Sequence, residues 1–397
     1  MKKIIIPLVT AAVVVSIVLA GCVPGAAPTP PAPPAPTVAG PAASPAKGML
    51  AGNPFEGLAV KPDGTPYYFA YEFIFLYNPY MAFAGGVWED YMQKAGARYT
   101  LHDANLDVSK EIAMLEDLVI MKPDAVLVHP VDGWAAAPIV DKLSEAGVPV
   151  FNYCVECVTE SIVSYVEANH YEMGKTIGKW TVDYFAAKGE PGYVFECQGL
   201  IKTFIAMGRH DGFMAAIDGT NVHMEPGPDC AWADEECCNN VISAFPAHPE
   251  YNCVYTHGGM LDGATSGLRT VGLLYPVGDP NHVVAVSIDA NDATCALIRD
   301  GWADAVVSHD PWPEVDYIVK AMFANVILGQ PVPYKDLVLA SPIYTYDDVV
   351  EDWGRDLPII WGNVMNKKID YLTLPVLDMS DYIQTPTAAM RKELVGY

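Results

Sequence analysis

Residues 125–153 read AVLVHPVDGWAAAPIVDKLSEAGVPVFNY, and the fold class can be predicted from their pattern. The stretch begins with a short apolar run at 125–128 and ends with a second apolar run at 148–153. Between them, alanines and aliphatic residues recur at helical spacing over 135–146. A strand, a helix and a strand in this length predict one parallel βαβ unit. Polar residues that follow such strands gather at one edge of the sheet.

The same alternation continues on both sides of this unit. An aromatic and β-branched run at 67–76 precedes it, followed by a helical pattern at 80–96 and a short strand at 99–102. Further strand patterns separated by helical patterns occur at 162–166, 193–197, 253–256, 283–288 and 303–307. These are more strands than one compact sheet of this kind holds. We therefore predict an α/β fold with two lobes, each a doubly wound parallel sheet covered by helices.

The composition limits the kinds of partner. The chain has 397 residues, with 23 Lys and Arg against 48 Asp and Glu, and its formal charge is −25. A nucleic-acid-binding protein usually presents a basic face, and a protein drawn to anionic lipid by charge needs one too. We therefore expect no nucleic acid partner. Hydrophobic residues make up 51% of the chain, which is enough for a buried core.

The N-terminus predicts export. Two lysines precede an apolar run at 4–20, and small residues follow, which is the order of a secretory signal peptide. The sequence LAGC at 19–22 resembles the lipobox of bacterial lipoproteins, which implies cleavage after residue 21 and a lipid on Cys22. A transmembrane anchor is the alternative, but the run is short for a span. We expect 1–21 to be a lipoprotein signal peptide and the lipid on Cys22 to hold the protein at the extracytoplasmic face of the membrane.

A tether is expected to follow the lipidated cysteine, over 22–65. Residues 23–47 are almost entirely Pro, Ala, Gly, Ser, Thr and Val, and Lys47 carries their only charge. Such a composition cannot bury a core, and its prolines favour an extended polyproline II conformation. We therefore expect this segment to hold the folded lobes away from the membrane.

The cysteines suggest an oxidising compartment. The chain has nine, of which one is Cys22, and the other eight lie between 154 and 295. An even number in an exported chain predicts disulfides, with their pairing left open by the sequence. A redox Cys-x-x-Cys at 154 and 157 is one alternative. A zinc site from Cys230, Cys237 and Cys238 is another, although adjacent cysteines fit one tetrahedral site poorly.

Several short motifs occur at the predicted strand ends and helix starts. They are Asn78-Pro79-Tyr80, Asp103-Ala104-Asn105-Leu106-Asp107, His129-Pro130-Val131-Asp132, Gly174, Glu196-Cys197-Gln198-Gly199, Arg209 with Gly212 and Phe213, and Ser287-Ile288-Asp289-Ala290. With them, the chain from about 66 to about 352 resembles the type I periplasmic binding proteins of the ribose-binding branch, which serve ABC sugar importers. The resemblance implies two lobes joined by three crossing strands and hinge closure over a small-molecule ligand. It also implies an ABC permease as partner, a monomer, no cofactor and no catalytic step.

Domain limits follow from the same resemblance. The first lobe would comprise 66–167 and 310–338, and the second 168–309 and 339–360. Residues 361–397 would form a C-terminal extension, whose role the sequence leaves open.

The resemblance also implies where a ligand is held. The implied contacts are Asn78, Tyr80, His129, Cys154, Met207, Trp232, His257, Asp289 and His309, with Asp132 and Trp134 beside them. Amides, carboxylates and imidazoles suit sugar hydroxyls, which both donate and accept hydrogen bonds. Aromatic rings suit the apolar faces of a sugar ring.

Three departures from the family pattern bear on the ligand. Cys154-Val155 stands where ribose-type sites have Asp-Arg, and Met207 stands where they have a second Arg. Histidines at 129, 257 and 309 replace amide side chains. We therefore expect a cleft without cations, which excludes ribose and anionic ligands. The three imidazoles either form hydrogen bonds with the ligand or, as an alternative, bind a metal.

Two other classes of function remain open. One is a sensor lipoprotein for a non-sugar solute, such as an amine, a nucleoside or an autoinducer-like molecule. The other is an enzyme that uses the cleft. The motif Gly174-Lys175-Thr176 ends like a phosphate-binding loop, but Asn169 stands where that loop needs its first glycine. We therefore expect no enzymatic activity.

Overall fold

The computed structural model describes residues 57–367, except 333 and 357, together with the backbone of a short strand at 383–384. The predicted signal peptide, Cys22 and most of the predicted tether lie outside the described residues. Most of the predicted extension beyond 367 lies outside them as well. Within the described part of the chain, no helix combines the length and apolar character needed to cross a membrane.

Strands and helices alternate along the chain. In order they are β1 (Tyr68–Phe73), α1 (Pro79–Ala95), β2 (Arg98–Asp103), α2 (Val108–Met121), β3 (Ala125–Val128), α3 (Gly133–Glu145), β4 (Val150–Tyr153), β5 (Ile162–Ala168), α4 (His170–Lys188), β6 (Gly192–Gln198), α5 (Phe204–Ile217), β7 (Val222–Asp229), α6 (Asp234–Ala247), β8 (Cys253–Thr256), α7 (Leu261–Thr270), β9 (Val284–Ile288), α8 (Asp292–Arg299), β10 (Ala305–Val307), α9 (Pro311–Val326), β11 (Asp336–Leu339), β12 (Ile343–Thr345), α10 (Tyr346–Gly354), α11 (Trp361–Lys367) and β13 (Ile383–Gln384).

The strands form two sheets. The first has the order β13-β11-β5-β4-β3-β1-β2 and is parallel except for β13. The second has the order β12-β10-β9-β8-β6-β7 and is parallel except for β12. Most central strands are buried along their whole length, as expected where helices cover both faces. The predicted fold class, two doubly wound α/β lobes, is confirmed.

From β1 to α11 the chain crosses between the lobes three times, and β13 then pairs with β11 of the first sheet again. It passes from β5 to α4, from β10 to α9 and from β11 to β12. The first-lobe helix α9 begins where Asp310 accepts a hydrogen bond from the Trp312 amide at 3.0 Å, which is a side-chain N-cap. Each crossing is short, so the residues at the crossings lie close to both lobes.

Two glycines bring α4 and α5 into close contact in the second lobe. A Cβ atom on Gly174 would lie 2.0 Å from the carbonyl oxygen of Arg209. A Cβ atom on Gly212 would lie 1.9 Å from the carbonyl oxygen of Tyr171. Only glycine permits this distance, and the close packing fixes the position of Arg209 near the hinge.

The helix α11 contacts both lobes. The Gly362 amide donates to the Ala290 carbonyl at 2.9 Å, which places the helix against the second lobe. The ring of Trp361 lies 5.6 Å, centroid to centroid, from the ring of Phe83 on α1 in the first lobe. Because Trp361 is 1% exposed, its indole is buried between elements of the two lobes.

Candidate ligand-binding cleft

A cleft lies between the lobes, at the carboxyl ends of the parallel strands. The empty space within it, including the part that is open to solvent, is about 400 Å³. Its walls are formed by Ile74, Phe75, Asn78, Tyr80, Met81, His129, Cys154, Thr203, Ile205, Arg209, Trp232, Asp289 and His309. The set combines aromatic rings with a few buried polar groups, which is typical of a site for a small organic molecule.

Tyr80 belongs to the first turn of α1 on the first-lobe side of the cleft. Its ring stacks on the His309 imidazole, with centroids 4.3 Å apart and planes at 21°. Its hydroxyl donates to Glu314 Oε2 at 2.9 Å and accepts from the Tyr153 hydroxyl at 2.7 Å. Burial, followed by the Glu314 charge, raises the pKa of Tyr80 well above its ordinary value. Tyr80 is therefore a neutral ring held rigidly at the hinge.

His129 follows β3 and is completely buried. Neither of its ring nitrogens has a hydrogen-bond partner among the described residues. Burial, assisted by the neighbouring His309 charge, lowers the pKa of His129 to about 3, so the ring is neutral at physiological pH. A neutral imidazole offers one N–H donor and one acceptor nitrogen. Leaving both nitrogens without a hydrogen bond destabilises the folded protein, and a ligand in the cleft could supply the missing partners.

Four charged side chains meet at the hinge end of the cleft. Arg209 Nη2 lies 2.9 Å from His309 Nδ1 and 3.6 Å from Asp289 Oδ1. His309 Nδ1 lies 3.2 Å from Asp289 Oδ1, and His309 Nε2 lies 3.2 Å from Glu314 Oε1. All four side chains are at least nine-tenths buried. Two basic groups thus face two carboxylates, and buried charges persist when they are paired in this way.

The carboxylates control the protonation of His309. Burial alone would lower the pKa of His309, but the Glu314 charge and the contact with Asp289 outweigh it and raise that pKa well above its ordinary value. Burial likewise opposes ionisation of Asp289, but Arg209 and His309 lower its pKa. Arg209 and a protonated His309 thus lie against the carboxylate of Asp289.

Three cleft residues have left-handed backbone conformations. The φ angles are +62° at Cys154, +61° at Trp232 and +72° at Asp289. Residues other than glycine seldom adopt this region, and such strain concentrates at functional sites. The three residues come from three different loops, so the strained positions converge on the cleft.

The Trp232 ring forms the second-lobe wall. A Cβ atom on Gly199 would lie 2.1 Å from this ring, so the indole rests directly on the glycine backbone. The Arg209 guanidinium lies 5.6 Å from the centroid of the Trp232 ring, within cation–π range. The neighbouring Ala231 carbonyl accepts a hydrogen bond from the Tyr77 hydroxyl of the first lobe at 2.9 Å. This contact joins the two lobes across the cleft.

The structure brings together seven of the predicted contacts. They are Asn78, Tyr80, His129, Cys154, Trp232, Asp289 and His309. The other four predicted residues do not line the cleft. Asp132 instead caps α3, accepting from the Trp134 amide at 2.9 Å, and the Trp134 side chain is 51% exposed. Met207 is 48% exposed on α5. His257 lies fully buried, with Nε2 2.7 Å from Glu196 Oε1.

Sequence reasoning missed Arg209 as a cleft residue, and the expectation of a cleft without cations is therefore wrong. Arg209 lies two positions after Met207, which turns it by about 200° around the helix axis. It is also the one arginine in the segment FIAMGRHDGFMAAI of α5. An arginine in such an apolar helix was the feature of the sequence that could have indicated a buried, functional cation. The apolar residues Ile74, Phe75, Met81 and Ile205 and the hydroxyl residue Thr203 were missed too.

A metal in this cleft is disfavoured. Cys154, His170 and His309 place one ligand atom each within 4.8 Å of one another. However, Arg209 Nη2 lies 3.4 Å from His170 Nδ1 and 2.9 Å from His309 Nδ1. A guanidinium in this position repels a metal cation. The alternative metal set of histidines at 129, 257 and 309 does not come together as a ligand group among the described residues.

The expected disulfides are absent from the described structure. None of the eight cysteines between 154 and 295 forms one, and all eight are buried. The Cys157 thiol donates to the Gly133 carbonyl at 3.6 Å, and burial raises the pKa of Cys157 to about 12. A thiol in this state is a poor nucleophile, so the structure does not favour the redox alternative.

Comparison with known proteins agrees with this geometry. A model of the periplasmic binding protein domain matches residues 71–331. The chain is similar to the ribose import binding protein of Escherichia coli strain K12, at 25% identity over 220 residues, which are 55% of this chain and 71% of that protein. It is also similar to the galactofuranose-binding protein of the same strain, at 26% identity over 227 residues, which are 55% of this chain and 70% of that protein.

Two solved structures have the same fold. A crystal structure of a galactofuranose binding protein aligns with a TM-score of 0.66 and 23% identity, covering 72% of this chain and 97% of that chain. The Caulobacter myo-inositol binding protein, bound to myo-inositol, aligns with a TM-score of 0.65 and 20% identity, covering 73% of this chain and 97% of that chain.

Proposed function

The chain belongs to the periplasmic binding protein family, and from this premise we propose that it binds a sugar or related polyol between its lobes. The single observation that carries the choice of ligand is the buried, neutral His129, with a donor and an acceptor that no described residue uses. A hydroxyl group can satisfy both because it accepts and donates. An ammonium group only donates, and a carboxylate only accepts.

The charges around the cleft support a neutral ligand. The Arg209 cation is paired with Asp289, so it attracts an anion less than an unpaired arginine would. The rings of Phe75, Tyr80 and Trp232 line the same cleft and suit the apolar faces of a sugar. The curated relatives named for ribose and galactofuranose agree with this ligand class.

Delivery to an ABC permease is the second part of the proposal. Hinge closure would exclude water and present a closed surface to the permease. We also propose that a lipid on Cys22 anchors the protein at the extracytoplasmic face of the membrane, that it acts as a monomer, and that it performs no catalytic step. The family match and the names of the curated relatives support a binding protein rather than an enzyme.

A thermal-shift panel tests the ligand class. It should contain monosaccharides, disaccharides, polyols, amines and nucleosides, each with and without a chelator. A ligand at 100 times its dissociation constant stabilises the folded state by about 2.7 kcal/mol, which raises the melting temperature by several degrees. We expect a rise with one sugar or polyol that the chelator does not change. The assignment would be overturned if an amine or a nucleoside raised the melting temperature and no sugar did.

A further inference from the structure

Three thiols meet in the second lobe, outside the cleft. Cys197 lies in β6, Cys230 follows β7, and Cys237 lies near the start of α6. Their sulfur atoms all lie within 4.8 Å of one another, and the three residues are completely buried. The zinc set considered from the sequence contained the adjacent Cys238 instead of Cys197. Three different elements thus supply the sulfur atoms that meet here.

A hydrogen-bond donor lies beside the Cys230 sulfur. The Asn240 side-chain amide donates to the Cys230 sulfur at 3.3 Å. The thiolate is the form of cysteine that binds metals, and outer hydrogen bonds to a ligand atom are a usual part of metal sites.

We propose that Cys197, Cys230 and Cys237 together bind one soft metal ion through three sulfur atoms. Thiolates select soft ions such as Cu(I), whereas Ca²⁺ and Mg²⁺ require oxygen ligands. Structural zinc takes four ligands, and the group found among the described residues has only three. Binding would release to solvent the protons of those cysteines that are thiols in the metal-free protein. A disulfide would use two of the sulfur atoms and leave the third without a partner.

The site would act on the loop that carries Trp232. Cys230 lies two residues before Trp232, and Cys197 lies two residues before Gly199, on which the Trp232 ring rests. Ala231 and Trp232 both have left-handed backbones, with φ of +47° and +61°. A metal ion that joins Cys197 to Cys230 would hold both ends of this contact in place.

The test is a Cd(II) titration of the full chain, reduced and free of metal, followed by thiolate-to-cadmium charge transfer in the ultraviolet. We expect one equivalent to bind. Cys230→Ser and Cys237→Ser should weaken binding by more than about 100-fold, beyond the scale at which outer-shell changes act. Cys253→Ser is the matched control, because Cys253 is a buried cysteine of the same lobe outside the group. It should bind Cd(II) like the wild type.

X-ray absorption on the wild-type protein with Cd(II) makes the test independent of how the variants fold. Sulfur ligands alone around the ion would support the proposal, and a shell dominated by oxygen or nitrogen would overturn it. Equal Cd(II) affinity in Cys230→Ser and the wild type would overturn it too. So would a disulfide between two of the three cysteines in protein isolated without reductant. None of these readouts depends on which solute the cleft binds.

Discussion

The ring of Tyr80, from the first lobe, stacks on the ring of His309 at the hinge, with centroids 4.3 Å apart. The Tyr80 hydroxyl donates to Glu314, and His309 Nε2 lies 3.2 Å from the other carboxylate oxygen of Glu314. Ring stacking and the shared Glu314 carboxylate therefore link α1 to α9 and to the segment that joins β10 to α9. These contacts fix the positions of Tyr80 and His309 in the cleft wall.

The charge on His309 predicts how stability depends on pH. Because the folded-state pKa of His309 is raised, protonation stabilises the folded state. That contribution is complete below about pH 6.5, the ordinary histidine pKa, and is lost as the pH rises through the folded value. We expect the free energy of unfolding to fall above about pH 7 more steeply in the wild type than in His309→Gln. Urea unfolding at several pH values measures the difference, and equal slopes would contradict it.

Replacing His129 separates binding from stability. His129→Phe removes the donor and the acceptor that the ligand is proposed to use, and we expect affinity for the sugar found in the panel to fall about tenfold or more. The variant should be no less stable without ligand, because the buried ring nitrogens have no partner among the described residues. His129→Gln keeps both hydrogen-bonding functions and should lose less affinity. Calorimetric titration and thermal melts provide the two readouts. Full affinity in His129→Phe would show that the ligand does not use this ring.

The ion pair of Arg209 and Asp289 should behave as a coupled unit. Arg209→Met leaves Asp289 buried without its arginine, and we expect a loss of about 3–5 kcal/mol in the free energy of unfolding. Adding Asp289→Asn should recover part of that loss, since the uncompensated charge is removed. Urea unfolding of the two single variants and the double variant completes the cycle. Additive losses would mean that the two side chains do not interact.

Gly199→Ala tests the contact between the Trp232 ring and the backbone of Gly199. The new Cβ atom would lie 2.1 Å from the indole, so the ring must move, and we expect ligand affinity to fall. Gly86→Ala is the control, because a Cβ atom there meets nothing within 4 Å. It lies inside α1, where alanine is favoured over glycine by roughly 0.5–1 kcal/mol. Tryptophan fluorescence and ligand titration distinguish the two variants. Unchanged affinity in Gly199→Ala would place the ligand away from Trp232.

The fold was predictable because each βα unit is encoded locally. The stretch at 125–153 contains its own strand, helix, cap and strand, and repeating such units leaves few arrangements. The strand-end residues of the cleft were predictable for the same reason, since the carboxyl ends of parallel strands meet at one edge.

The remaining site residues depend on information that the sequence pattern does not hold. Choosing Arg209 over Met207 requires the rotation of α5, which the approach of α4 through Gly174 and Gly212 determines. An aspartate after a strand can either cap a helix or bind a ligand. Asp132 caps the N-terminus of α3. His257 is withdrawn from the cleft by Glu196 on the neighbouring strand β6. The sulfur group joins Cys197 to residues more than thirty positions away, a contact that only the sheet order determines.

Burial of Trp361 affects how easily the two lobes separate. It lies beyond the matched family domain, which ends at 331, yet its indole contacts α1 while α11 rests on the second lobe. Separating the lobes exposes part of that ring to water, at about 1 kcal/mol for each ~40 Å² of apolar surface. In the proposed hinge closure, the population of the closed form, and with it the apparent affinity, would therefore depend on a residue that does not line the cleft. Substitutions in this helix could then change the ligand affinity while leaving the ligand contacts unchanged.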